Sequence, residues 1–145
     1  MFKHVLILCH ANICRSPIAE ILWRKRFPGH EVKSAGIAAQ KNLPPAAEMI
    51  ELAQERGLDL TLCRSQPLTP ELLQWADLIL VMDDEQKRHL ECSFPHVCGK
   101  VHLLGKWSKS PVLDPYRKSL ADYEECFANI EKHIEDWWKR VGSIS

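Results

Sequence analysis

Lys3-His4-Val5-Leu6-Ile7-Leu8-Cys9-His10-Ala11-Asn12-Ile13-Cys14-Arg15-Ser16-Pro17 is the stretch on which the fold turns. Residues 3–9 form a short continuous apolar run that polar residues close, the pattern of a strand buried on both faces of a parallel sheet. Ser16-Pro17 predicts the start of a helix, with Ser16 as N-cap and Pro17 at the first helical position. Ile18, Ile21, Leu22 and Trp23 then supply an apolar stripe toward Phe27, and Pro28-Gly29 ends it. Strand, tight turn and helix therefore follow one another with almost nothing between them.

Outward from this stretch the pattern repeats. Glu31 to Ser34 reads as a second strand before Gly36, and Pro44-Pro45 starts a helix with Met49, Ile50 and Ala53 inward and Gly57 as its stop. Thr69-Pro70 opens another short helix. Asp77 to Met82 is a further buried-strand run, the charged stretch Asp84 to Glu91 is helix-like, and Lys100 to Leu104 is a weaker strand. From Arg117 to about Arg140, Leu120, Tyr123, Phe127, Ile130, Ile134 and Trp137 recur at helical spacing, which predicts a long closing amphipathic helix. Alternating strands and helices argue for an α/β fold, a parallel sheet wrapped on both faces, in a single domain over residues 1–145. Ligands in such folds bind beyond the carboxyl ends of the strands, and the first such end is at Cys9.

Composition narrows the function. Lys plus Arg and Asp plus Glu are each 19 of 145 residues, so the net charge is zero and a nucleic-acid or anionic-membrane partner is not expected. The apolar run Val5–Leu8 is too short for a signal-peptide core, and nowhere do about 18 apolar residues follow one another as a membrane span requires. The six cysteines are scattered rather than dense, which points to a reducing cytoplasm. None of the seven histidines pairs at a metal-ligating spacing, and neither metal nor cofactor is expected.

Cys9 and Arg15 are separated by five residues. Such a loop can curl into a ring whose N–H groups point at one centre, where a helix N-terminus adds partial positive charge, so that His10, Ala11, Asn12, Ile13 and Cys14 would cradle a phosphate dianion. Arg15 would grip two phosphate oxygens with its planar fork, and the same field would favour a Cys9 thiolate as nucleophile. Ser16 is placed to donate to the sulfur, and Asn12 tolerates the left-handed backbone that a tight loop needs. Cys63-Arg64-Ser65 repeats the Cys14-Arg15-Ser16 triplet, but Leu58 stands six residues before Arg64, so this copy reads as surface loop. A leaving group also needs an acid, and Asp114-Pro115-Tyr116 lies in the connection after the last strand, where a loop can reach over Cys9.

The chain resembles a low-molecular-weight protein tyrosine phosphatase over nearly its whole length. Cys9 to Pro17 meets the signature Cys-x-Gly-Asn-x-Cys-Arg-Ser-Pro at all but one position, Ser34-Ala35-Gly36 follows, and Asp114-Pro115-Tyr116 closes the set. The resemblance implies a three-layer fold with a four-stranded parallel sheet, a phosphocysteine at Cys9, phosphate bound by Arg15, and Asp114 as acid and then base. It also implies that Asn12, Ser16 and Ser34 hold the loop rigid and that Tyr116 lines the slot for the substrate ring. Cys14 would be able to form a reversible disulfide with Cys9, or would be a small packing residue. Val81-Met82, Lys106-Trp107 and the run from Asp114 to Ser119 look most like the bacterial branch acting on tyrosine kinases of capsule and exopolysaccharide export, which implies such a phosphotyrosine protein as partner of a monomeric enzyme.

Three departures stand out. Ala11 replaces the family's Gly and would slow turnover if the backbone there is left-handed. Residues 37–43 carry no aromatic to sandwich the substrate ring. A histidine that supports the loop serine in some relatives is replaced near Leu62. The rival readings are a thioredoxin-linked arsenate reductase, which needs two relay cysteines such as Cys92 and Cys98, and a silent phosphotyrosine binder, which rests on Ala11.

Overall fold

A computed structural model describes residues 2–142. Four strands, β1 (His4–Cys9), β2 (Glu31–Gly36), β3 (Leu78–Val81) and β4 (Val101–Leu103), form one sheet in the order β2-β1-β3-β4, every pair parallel. The expected α/β fold with a four-stranded parallel sheet is the fold observed. Among the described residues five α-helices cover the sheet: α1 (Arg15–Arg26), α2 (Ala47–Glu55), α3 (Pro70–Trp75), α4 (Asp84–Ser93) and α5 (Leu120–Trp137).

Alternation along β1 builds two cores, because successive strand side chains face opposite sides. Val5, Ile7 and Cys9 join Ile18, Trp23, Phe127 and Ile130 on the α1/α5 side, whereas Leu6 and Leu8 join Leu73, Leu90 and Val97 on the α3/α4 side. The register sets Cys9 beside Gly36, so β1 and β2 end together at the edge where the phosphate loop begins. Among the described residues no helix is long and apolar enough to cross a membrane.

Several element boundaries differ from the sequence expectation, each for a local reason. Ser16 is not the N-cap of α1. Cys14 holds that position with no side-chain cap, and Ser16 lies in the first turn with its hydroxyl turned to Cys9. The second helix begins at Ala47 rather than at Pro44-Pro45, since Ala46 is still extended at ψ 137°. Strand β3 spans Leu78–Val81; just before it the Asp77 N–H donates to His4 O while the Asp77 carboxylate accepts the Lys3 and His4 N–H groups. The last helix starts at Leu120: Arg117 sits at φ 62°, which no helix can continue through, and Ser119 and Asp122 form a capping box. Leu120 is half exposed and falls outside the buried stripe of Tyr123, Phe127, Ile130, Ile134 and Trp137.

Candidate active site

The loop from Cys9 to Arg15 closes over the end of β1, and its side chains are mostly buried: Cys9 is 2% exposed, Asn12 2%, Arg15 3% and Ser16 0%. The Asn12 N–H donates to Cys9 Sγ at 3.2 Å, and the Ser16 hydroxyl lies 3.0 Å from the same sulfur. Asn12 has φ 60°, the left-handed conformation that its side chain tolerates. Ala11 is not among the left-handed residues, so the methyl group there imposes no backbone strain.

Donor and acceptor accounting orients the Asn12 amide at the centre of this network. A backbone N–H can only donate, so the Gln66 N–H, 2.9 Å from Asn12 Oδ1, makes that oxygen an acceptor and leaves Asn12 Nδ2 as a double donor. Nδ2 then donates to Ser16 Oγ at 2.7 Å and to Ser34 Oγ at 3.0 Å. Ser16, accepting from Asn12, keeps its own proton available for Cys9 Sγ, and Ser34 directs its proton at Glu20 Oε1 at 2.5 Å. Glu20 in turn pairs with Arg24 at 2.5 Å. Two residues of this network, Gln66 and Glu20, carry no sequence signal of their own, because neither falls in the loop motif.

The loop before α5 comes to the site through Arg15. Nη1 of Arg15 donates to the Val112 carbonyl at 2.9 Å, the Val112 N–H donates to Met82 O at 2.9 Å, and Nη2 lies 3.7 Å from Asp114 Oδ2. Asp114 also accepts the Tyr116 N–H at 3.1 Å, a local turn that sets both side chains at the mouth. A cavity of about 280 Å³ results, lined by Cys9, His10, Ala11, Ile13, Cys14, Arg15, Asp114 and Tyr116. Asn12, Ser16 and Ser34 stand behind it as its hydrogen-bonded support. Burial, reinforced by the nearby Asp114 carboxylate and Cys9, pushes the Cys14 thiol up to about 12, and burial does the same to Cys126. Both are neutral thiols near pH 7.

Two sequence expectations need correction. Leu62 is 88% exposed, and the network around Ser16 is not thin: Asn12 and Ser34, held by Gln66 and Glu20, complete it. Nor is the Cys63-Arg64-Ser65 copy mere surface. Ser65 is 2% exposed, its hydroxyl accepts the Leu43 N–H and donates to Gln40 O, and it thereby pins residues 40–43.

Comparison with known proteins gives a consistent result. The model of the low molecular weight phosphotyrosine protein phosphatase family matches residues 4–144. A probable low molecular weight protein-tyrosine-phosphatase, EpsP of Ralstonia nicotianae, is 39% identical over 144 residues, covering 99% of each chain. Among solved structures, the tyrosine phosphatase Wzb from Escherichia coli K30 in complex with sulphate superposes with a TM-score of 0.93 at 32% identity, covering 97% of this chain and 99% of that one. Vibrio vulnificus Wzb in complex with benzylphosphonate superposes with a TM-score of 0.92 at 35% identity and the same coverage.

Proposed function

Because the chain belongs to the low molecular weight phosphotyrosine protein phosphatase family, we propose that it hydrolyses phosphotyrosine in proteins through a phosphocysteine at Cys9. The observation that carries this reading is the convergence on one cavity of a sulfur that accepts the Asn12 N–H and lies 3.0 Å from the Ser16 hydroxyl, a buried guanidinium, and an exposed carboxylate. Cys9 Sγ attacks phosphorus in line with the leaving oxygen. The N–H groups at the start of α1 and the Arg15 fork hold the phosphoryl oxygens as charge develops on them. Asp114 gives its proton to the departing phenolate and then accepts one from the water that cleaves the S–P bond, releasing inorganic phosphate and restoring Cys9.

The apolar walls at Ile13 and Tyr116 favour a flat aromatic side chain, even though residues 37–43 supply no ring. The arsenate reductase reading loses support, since neither exposed Cys92 nor exposed Cys98 lines the cavity over Cys9. The silent-binder reading loses its only premise, since Ala11 is unstrained. The natural partner on this reading is a tyrosine-phosphorylated protein, a kinase of polysaccharide export being favoured by the sequence resemblance to that branch. A reactive thiol and six free cysteines suit the reducing cytoplasm.

The test is hydrolysis of para-nitrophenyl phosphate and of phosphotyrosine, phosphoserine and phosphoarginine peptides, with EDTA present. The expected result is activity on the aryl phosphates alone, none in Cys9→Ser, and a fall of about 10²- to 10⁴-fold in kcat for Asp114→Ala. An active Cys9→Ser protein would sink the mechanism.

A further inference from the structure

The cavity over Cys9 does not end at Arg15. A second hollow of about 350 Å³ opens on its far side, sharing His10, Arg15 and Asp114 with the first, and its outer wall is the start of α4 with Asp83, Glu85 and His89. Asp83 is fixed in place as the N-cap of α4, its Oδ1 accepting the Gln86 N–H at 2.8 Å. Glu85 is exposed and, among the described residues, has no ion-pair or hydrogen-bond partner. The other rim carries the opposite sign: the Arg117 guanidinium sits 5.3 Å from the centre of the Tyr116 ring. The hollow at α4 and the rim at Tyr116 both adjoin the cavity over Cys9, so each can take chain that flanks a residue reacting there. Once a phosphate dianion engages Arg15, the hollow presents the carboxylates of Asp83, Glu85 and Asp114 beside the imidazoles of His10 and His89.

Resting on the phosphotyrosine reading above, we propose that the hollow at the start of α4 is a specificity subsite for the basic side chain, Lys or Arg, of a residue flanking the phosphotyrosine, with Glu85 as its principal reader. Asp83 supplies a second, fixed carboxylate. Opposite charges on the two rims give a bound peptide a direction, with its basic flank toward α4.

The experiment compares kcat/KM for phosphotyrosine peptides that differ only in carrying Lys or Glu within two residues on either side, using wild type, Glu85→Gln and Glu85→Lys, with para-nitrophenyl phosphate alongside. Wild type should prefer one of the Lys peptides over its Glu counterpart by roughly three- to tenfold, a preference that shrinks at high salt. Glu85→Gln should lose most of the preference, Glu85→Lys should reverse it, and neither should change turnover of para-nitrophenyl phosphate. Equal rates across the peptides, or variants that move both peptides alike while the small substrate is still turned over, overturn the subsite alone. Failure of wild type on para-nitrophenyl phosphate removes the phosphatase reading and the subsite with it.

Discussion

At residue 12 an asparagine does three things that no other side chain combines. It adopts φ 60°, accepts the Gln66 N–H, and donates to both Ser16 and Ser34. Its neighbour Ala11 has none of these duties and stays out of the left-handed region, so the family's glycine is not required there. Ala11→Gly should therefore leave kcat/KM for para-nitrophenyl phosphate within about twofold. It should lower stability by about 0.4–1 kcal/mol through the freer unfolded chain, seen as a slightly lower melting temperature. A several-fold gain in rate would mean instead that the alanine strains the loop. The left-handed tolerance of Asn12 was legible in the sequence. The partners that orient it were not, because Gln66 lies 54 residues away in a loop without periodicity.

Among the elements, the end of β2 and the phosphate loop are one structural unit. The Ile37 N–H donates to Cys9 O and the Ala38 N–H to His10 O, so the strand end and the loop are stitched through the backbone. Gly36 is the point of closest approach: a Cβ there would stand 2.8 Å from His10 O, 2.9 Å from the Ala11 carbonyl carbon and 2.6 Å from Ala39 Cβ. Gly36→Ala has to push backbone, not a flexible side chain, and overpacking of this kind costs about 1–3 kcal/mol. The expected outcome is a lower melting temperature together with a fall of tenfold or more in kcat/KM, because the atoms displaced belong to the cradle. A variant that melts early but turns over normally would separate the two elements. The predicted Ser-Ala-Gly motif marked this position, but only the packing explains why its third residue has no side chain.

Across the whole molecule, acid is the condition to which the fold is most exposed. Burial pushes His30, His102 and His133 below the ordinary imidazole value of 6.5, and His133, 2% exposed, has neither ring nitrogen hydrogen-bonded. Since the native state resists protonating these rings, the unfolded chain binds more protons as pH falls below about 6.5, and stability present in full above that value is lost there. Asp77, held low by the Lys3 and His4 N–H groups, and Asp59, held low by Thr61, add a second loss below about 3.8. The melting temperature should fall between pH 7 and pH 5, and His133→Leu should flatten that fall without lowering the value at pH 7.5. An unchanged slope in the variant would show that His133 is not the responsible ring. The position matters because His133 packs on Gly105, where the chain leaves β4 for the loop that ends at Asp114.

The order of strands and helices, the buried first strand and the Cys9–Arg15 loop were all determined by the sequence alone. Their cues are local: an apolar run of strand length, a proline at a helix start, a five-residue spacing, and residues whose chemistry suits one ligand. The tertiary structure decided what those cues cannot encode. Arg15 reaches a carbonyl 97 residues away, which brings Asp114 to 3.7 Å. Gln66 and Glu20 complete a network in place of the histidine looked for near Leu62, and the start of α4 becomes the wall of a second hollow. Each of these joins loops and elements distant in the chain, and such contacts follow from how two cores close around the sheet, where no spacing rule in the sequence applies.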